Sequence, residues 1–283
     1  MLVNLKEVLA EGRKRGVAVP SINTPNLESI LAAIQEAEAQ NIPLIIAHAE
    51  LHESVISMDV IGPVMLLFAQ RAKVPVCVHL DHGESFAACK RAIDLGFTGV
   101  MIDASTLPYE ENIKVTKKVV EYAHQRGVGV EAELGCLPNR ETGGETVGDP
   151  KLLYTEPHLV PDFVKRTGVD ALAIAFGTAH GIYKVKPVLS IDVIRAVRQV
   201  SDIYLVMHGG SGLSPDDYRG VIAAGIDKIN YYTYMAYAGY DAAKKLIEKE
   251  PTGFYHDLCT VATQAQQKRL KEMFTLFAEG RHE

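Results

Sequence analysis

The chain has 283 residues, a length suited to one α/β barrel, and its 47% hydrophobic and 23% charged content excludes a disordered or collagen-like polypeptide. Twenty-nine Lys and Arg against 35 Asp and Glu give a net charge of −6, with no basic block and no Trp, so no nucleic-acid partner is expected. The longest apolar runs are strand-sized, far short of the roughly 20 residues that cross a bilayer, so no membrane partner is expected either.

Residues 1–16, MLVNLKEVLAEGRKRG, pattern as an amphipathic helix without a signal-peptide core or cleavage site. The first apolar segment, GVAVPSIN (16–23), follows. Residues 26–41 then carry Leu27, Ile30, Leu31 and Ile34 at helical spacing, with Asn26 as N-cap and Asn41 and Pro43 as the stop. PLIIAHA (43–49) and PVCVHLDH (75–82) are the second and third strands; a helix over 84–95 leads to GVMIDAS (99–105), and one over 110–124 to GVEAELG (129–135). ALAIAFG (171–177), IYLVMHG (203–209) and KINYYT (228–233) complete the series. These segments are almost wholly apolar, as expected of parallel strands covered on both faces. Their recurrence with intervening helices predicts a TIM (β/α)8 barrel over residues 1–283 as a single domain, with a C-terminal helical extension. A doubly wound sheet is the structural alternative. One long irregular stretch, 134–157, reads as a functional loop. Cys77, Cys89, Cys136 and Cys259 form no CxxC or framework spacing, which points to reduced thiols and a cytoplasmic protein.

A barrel of this kind builds its active site at the C-terminal ends of its strands. The polar residues collect there: Asp81 and His82 end the third strand, Asp103 the fourth, Glu133 the fifth and His208 the seventh, the sixth leads into His180, and the eighth carries Asn230. Three imidazoles with an open position form a known catalytic zinc arrangement, although a single strand-end His is more often only hydrogen-bonded. His208-Gly209-Gly210-Ser211-Gly212 and His180-Gly181 supply backbone that can approach a phosphate closely, and Thr233 adds a hydroxyl at the end of the eighth strand. The alternative for the glycines is a flexible turn. His79 shares the inward parity of Cys77 and Asp81 and is expected as a buried layer residue. His48, Glu50 and His52 follow the second strand, near enough to touch substrate, but are expected in a solvated loop. Lys228 opens the eighth strand and should lie at the opposite end, so no Lys is placed for a Schiff base. Tyr231, Tyr232, Tyr234, Tyr237 and Tyr240 suggest a packed or subunit-interface cluster.

The segments AVPSIN (18–23), HLDHGES (79–85), VMIDAS (100–105), VEAELG (130–135), GTAHG (177–181), VMHGGSG (206–212) and GIDKIN (225–230) together resemble the class II, metal-dependent ketose-bisphosphate aldolases. The resemblance runs in order from about residue 1 to 231 and loosens after 235. It implies that His82, His180 and His208 hold a catalytic zinc or other divalent ion, with Asp103 and Glu133 an alternative or second metal position. Asp81 would exchange a proton with the substrate C4 hydroxyl, beside the catalytic Asn230. Asn23, Gly181, Gly209, Gly210, Ser211, Asn230 and Thr233 would hold dihydroxyacetone phosphate, with a monovalent cation nearby. The implied activity is reversible cleavage of a ketose 1-phosphate or 1,6-bisphosphate through an enediolate stabilised by the zinc ion, in a homodimer or homotetramer. Three departures bear on this. The loop acid corresponds to Glu145, with Glu141 as a rival; Ala49 stands where a small hydroxyl residue is common; and Tyr232 replaces an Asp or Ala. A metal-dependent sugar-phosphate isomerase or epimerase, and a non-catalytic sugar-phosphate-binding homologue, remain the alternatives.

Overall fold

In the computed structural model the described residues are 1–135, 153–183 and 185–279. The helix α1 (Leu5–Lys14) is capped by Asn4, whose side chain accepts from the Glu7 amide. Strand β1 (Val19–Asn23) leads to α2 (Leu27–Gln40), which Asn26 caps and which ends at Asn41 in the left-handed conformation. Strand β2 (Leu44–Ala49) continues into a 3-10 turn (Glu50–Ser54) and α3 (Met58–Arg71). Next come β3 (Val76–Gly83), α4 (Phe86–Leu95), β4 (Gly99–Ile102), α5 (Tyr109–His124) and β5 (Gly129–Leu134). A 3-10 turn (Pro157–Leu159) opens α6 (Val160–Thr167), followed by β6 (Ala171–Ile174), α7 (Ile191–Val200), β7 (Tyr204–Met207), α8 (Pro215–Ala224) and β8 (Ile226–Tyr231). Two helices, α9 (Thr233–Lys249) and α10 (Tyr255–Ala278), form the C-terminal extension.

The eight strands pair in sequence order and β8 closes on β1, all parallel. The doubly wound alternative is therefore replaced by a closed barrel. Each strand alternates its side chains between two cores. One set, including Ile46, Val78, Val100, Val130, Leu172 and Ile229, packs outward under the helices. The other points into the barrel, where Val19, Ile45, Cys77, Met101, Ala171 and Val206 pack against Leu5, Val8 and Leu9 of α1. Helix α1 thus plugs the N-terminal mouth. Buried Asp227 anchors that plug, accepting from Arg13 Nη2 at 2.8 Å and from Arg198 Nη2 at 2.8 Å. Helix α10 packs on α2 and α9. Its Arg269 donates to the hydroxyl of buried Tyr231 at 2.7 Å, so at least this member of the tyrosine group serves packing.

Two boundaries differ from the sequence reading. Strand β8 begins at Ile226 and ends at Tyr231, so Thr233 starts α9 instead of ending the strand. Strand β1 begins only at Val19, because Gly16 has φ of 70° and turns the chain before the ladder starts.

Candidate active site

Moving up the barrel interior from the apolar plug, the inward positions change from apolar to charged. The layer above Cys77 and Val19 contains His79, Glu131 and Lys228, each 0% exposed. Lys228 Nζ donates to Glu131 Oε2 at 2.6 Å, and Glu131 Oε1 lies 2.8 Å from His208 Nε2. This corrects the placement of Lys228 at the far end of the barrel. The strand starts two residues earlier than its apolar pattern indicates, so Lys228 lies in the middle layer, directly below the histidines. His79 takes the buried position its parity implies, with Nε2 3.6 Å from Glu131 Oε2, and burial pushes its pKa down to about 3.

One layer higher, Asn23, Asp81 and Asn230 meet. Asn23 Nδ2 donates to Asp81 Oδ2 at 2.9 Å and Asn230 Nδ2 to Asp81 Oδ1 at 3.0 Å. Burial raises the Asp81 carboxyl, but the neighbouring His82, His208 and Lys228 charges, with the Asn23 amide, outweigh it. The group stays well below the usual carboxylate range, so at neutral pH it is a proton acceptor.

His82, His180 and His208 surround the barrel axis at this level, with ring centroids 4.5 Å (His82–His208), 4.9 Å (His82–His180) and 5.8 Å (His180–His208) apart. His82 adopts φ of 46°, rare for a residue with a Cβ. The β3–β4 register shifts between Leu80 and Gly83, and that irregularity turns His82 out of strand alternation. Strain of this kind is held where the surrounding structure fixes it. Its Nδ1 lies 2.8 Å from Asp103 Oδ2, while Asp103 also accepts from the Ser105 hydroxyl at 2.7 Å. A carboxylate therefore engages one nitrogen of His82, and another, Glu131, engages one nitrogen of His208. That leaves His82 Nε2 for another partner, while His208 Nδ1 lies 3.1 Å from Asn230 Nδ2.

The donor set fits a divalent ion. One ligand atom each from His82, His180 and His208 lie within 4.8 Å of one another, as do atoms of His82, Asp103 and Glu133. Among the described residues His82 Nε2 has no hydrogen-bond partner although it is buried, the condition expected of a ligand nitrogen. Burial holds the His180 imidazole down to about 3, in the neutral form that ligates metal. Burial also opposes charge on His82, but Asp81, Asp103 and Glu133 outweigh it and raise the ring to about 10. The field of these acids thus favours a positive charge at the centre of the site.

The same cavity is lined by Gly181, Gly209, Gly210, Ser211 and Thr233 on the β6–β8 side. The glycines have a packing cause as well. A Cβ at Gly209 would lie 2.5 Å from the Ala179 carbonyl oxygen, and one at Gly210 2.6 Å from that of Asn230. The Gly210 amide donates to the Asn230 carbonyl at 3.1 Å, which takes it from the donors an anion could use. Ser211 Oγ accepts from the Tyr232 amide at 3.2 Å. Glu145 and its rival Glu141 lie outside the described residues.

Three side chains differ from their sequence placement or were passed over. His48 and His52 are 0% and 6% exposed, not solvated. His48 belongs to the outward face of β2, and the 3-10 turn folds His52 back against the Tyr232 ring, centroids 5.1 Å apart. Glu131 went unassigned although it shares the parity of Glu133. The available signal was a Glu and a Lys at inward positions of the fifth and eighth strands, each needing a counter-charge.

The family model for class II fructose-bisphosphate aldolases matches residues 3–281. The chain belongs to that family. It is a class II aldolase, a carbon–carbon lyase of a metal-dependent family that acts on phosphorylated ketoses. This aldolase is 42% identical over 257 residues to a fructose-bisphosphate aldolase of Geobacillus stearothermophilus, covering 88% of this chain and 87% of the relative. Identity to the fructose-bisphosphate aldolase of Staphylococcus aureus is 39% over 252 residues, with 88% and 87% covered. Among solved structures, the YdjI aldolase of Escherichia coli K12 superposes with a TM-score of 0.85 at 32% identity, covering 98% of this chain and 97% of that one. No helix among the described residues is long and apolar enough to cross a membrane.

Proposed function

We propose that this aldolase reversibly cleaves a ketose 1-phosphate or 1,6-bisphosphate into dihydroxyacetone phosphate and an aldehyde, and that Asp81 is the base for the C4 hydroxyl. The observation that carries this reading is the Asp81 carboxylate, fixed by two amides beside three convergent histidines. His82, His180 and His208 would hold a zinc or other divalent ion, with Asp103 and Glu133 the alternative set. When bound, the ion supplies electrophilic stabilisation of the negative charge that develops at the ketose C2 oxygen. Asp81 takes the C4 hydroxyl proton, the C4 oxygen becomes the aldehyde carbonyl, and the C3–C4 bonding pair moves toward C3 and the C2 oxygen. Asn23 and Asn230 hold Asp81 in line for that transfer. Gly181, Gly209, Gly210, Ser211 and Thr233 form the phosphate side, assisted by a monovalent cation. Glu145 is the acid assigned to return a proton to C3. The barrel acts as one domain, in a cytoplasmic homodimer or homotetramer.

The test is a zinc-supplemented cleavage assay across fructose, tagatose and related ketose phosphates, with dihydroxyacetone phosphate trapped by a coupled reductase. Chelation should abolish release and zinc restore it. Isomerised or epimerised ketose without dihydroxyacetone phosphate would transfer the site to the isomerase class.

A further inference from the structure

We propose that His52 is a specificity-determining residue whose imidazole hydrogen-bonds a hydroxyl on the aldehyde half of the ketose; the proposal rests on the aldolase reading above. His52 lines the same cavity as Asp81 and Asn23. With Asp81 at C4 and the phosphate on the β6–β8 side, the atoms beyond C4 meet the remaining lining, Glu84, Ser105 and Thr106 together with Leu51, His52 and Tyr232, and His52 is the imidazole among them.

The ring has two aromatic neighbours. Tyr232 packs edge-on at 5.1 Å, and His48 lies behind at 6.4 Å between centroids. His48 Nε2 is 3.3 Å from Glu53 Oε1, and Glu53 is itself fixed by the Met58 amide at 2.8 Å and by Arg91 Nη1 at 3.1 Å. A side chain packed in this way keeps its orientation without substrate, as a recognition group requires. Its own polar capacity is not consumed: His52 Nδ1 is buried with no hydrogen-bond partner among the described residues. Leaving a buried polar atom unmet is costly, and lining the cavity puts the imidazole within reach of a bound ligand. Burial, with His48 adding to it, lowers the His52 pKa, so the ring offers one donor and one acceptor at neutral pH. That pair complements a hydroxyl.

The test uses condensation of dihydroxyacetone phosphate with glyceraldehyde, which carries hydroxyls beyond its carbonyl, and with propanal, which does not. Wild type and His52→Phe, which keeps an aromatic ring against Tyr232, are compared by kcat/KM. We expect the substitution to lower kcat/KM for glyceraldehyde by about 10- to 100-fold and to leave propanal within about threefold, because specificity is a ratio of these values. Exchange of the dihydroxyacetone phosphate C3 proton should be unchanged. His52→Gln, which restores a donor and an acceptor, should recover part of the preference and serves if His52→Phe does not fold. Equal loss toward both aldehydes, or no loss toward either, overturns the role of His52 while leaving the aldolase intact. A wild type that neither condenses the aldehydes nor exchanges the proton overturns the aldolase reading, and this proposal with it.

Discussion

At the scale of single residues, two carboxylates divide the work around the histidines. Asp81 is held by amides, which leaves it free to accept a proton, whereas Glu131 is committed to His208 and Lys228. Asp81→Ala should retain bound metal yet lose C–C cleavage by about 10²- to 10⁴-fold, the usual worth of a positioned base. Exchange of the dihydroxyacetone phosphate C3 proton should fall much less, and an equal fall in both reactions would show the assignment wrong. Glu131→Gln should weaken metal binding by about 10- to 100-fold, as loss of a ligand-orienting carboxylate does. Chelator competition measures it, and unchanged affinity in the folded variant would remove Glu131 from the site's support. The sign of the pH effect follows from His82. Burial opposes its charge, but the three nearby acids raise it to about 10, so an entering cation must displace a proton from it. Metal affinity should therefore rise with pH below about 10, with protons released into weakly buffered solution on zinc addition. Binding without proton release would contradict this.

At the scale of elements, the loops after β6 and β7 are locked together by contacts that need glycine. Gly209 has φ of 64° and faces the Ala179 backbone, and its carbonyl accepts from Tyr183, whose hydroxyl also accepts from the Ala179 amide. Gly209→Ala cannot be absorbed by a side-chain shift, since the clash is with backbone. It should push the two loops apart and displace His180 and Ser211 together, raising KM for the phosphorylated ketose and weakening metal binding at once. A KM change with metal affinity unaltered would mean that the loops move independently. The bulge in β3 acts similarly at the opposite wall, because His82 reaches the axis only through the register shift at Leu80–Gly83.

At the scale of the molecule, the barrel interior is layered: an apolar plug from α1, a charged middle layer, and the site at the top. Asp227 ties the N-terminal end together, receiving Arg13 from the plug and Arg198 from α7. Asp227→Asn should destabilise the fold by about 3 kcal/mol, the scale of breaking a buried pair, as read by denaturant unfolding. It should leave kcat nearly unchanged because the group lies far below Asp81. Glu131 supplies the corresponding acid-side effect. Burial raises it, but Lys228 and His208 hold it down to about 2, below its unfolded value of about 4.3. Its stabilisation is therefore present above that unfolded value and fades as pH falls toward about 2.

The strand series, the helices between the strands and the strand ends at which Asp81, His82, Asp103, Glu133, His208 and Asn230 stand are legible in local patterns of residues. Those features are local: apolar runs, caps such as Asn26 and stops such as Asn41 depend on neighbours within a few residues. Contacts that depend on closure of the barrel are not legible there. Lys228 meets Glu131 across 97 residues, and Asn230 meets Asp81 across 149. Periodicity can place such a side chain inward but cannot say at which height it sits, because a two-residue change in strand start moves it by one layer. The burial of His52 has a related cause: a polar segment after a strand reads as solvated, but the Tyr232 ring from the far end of the chain covers it.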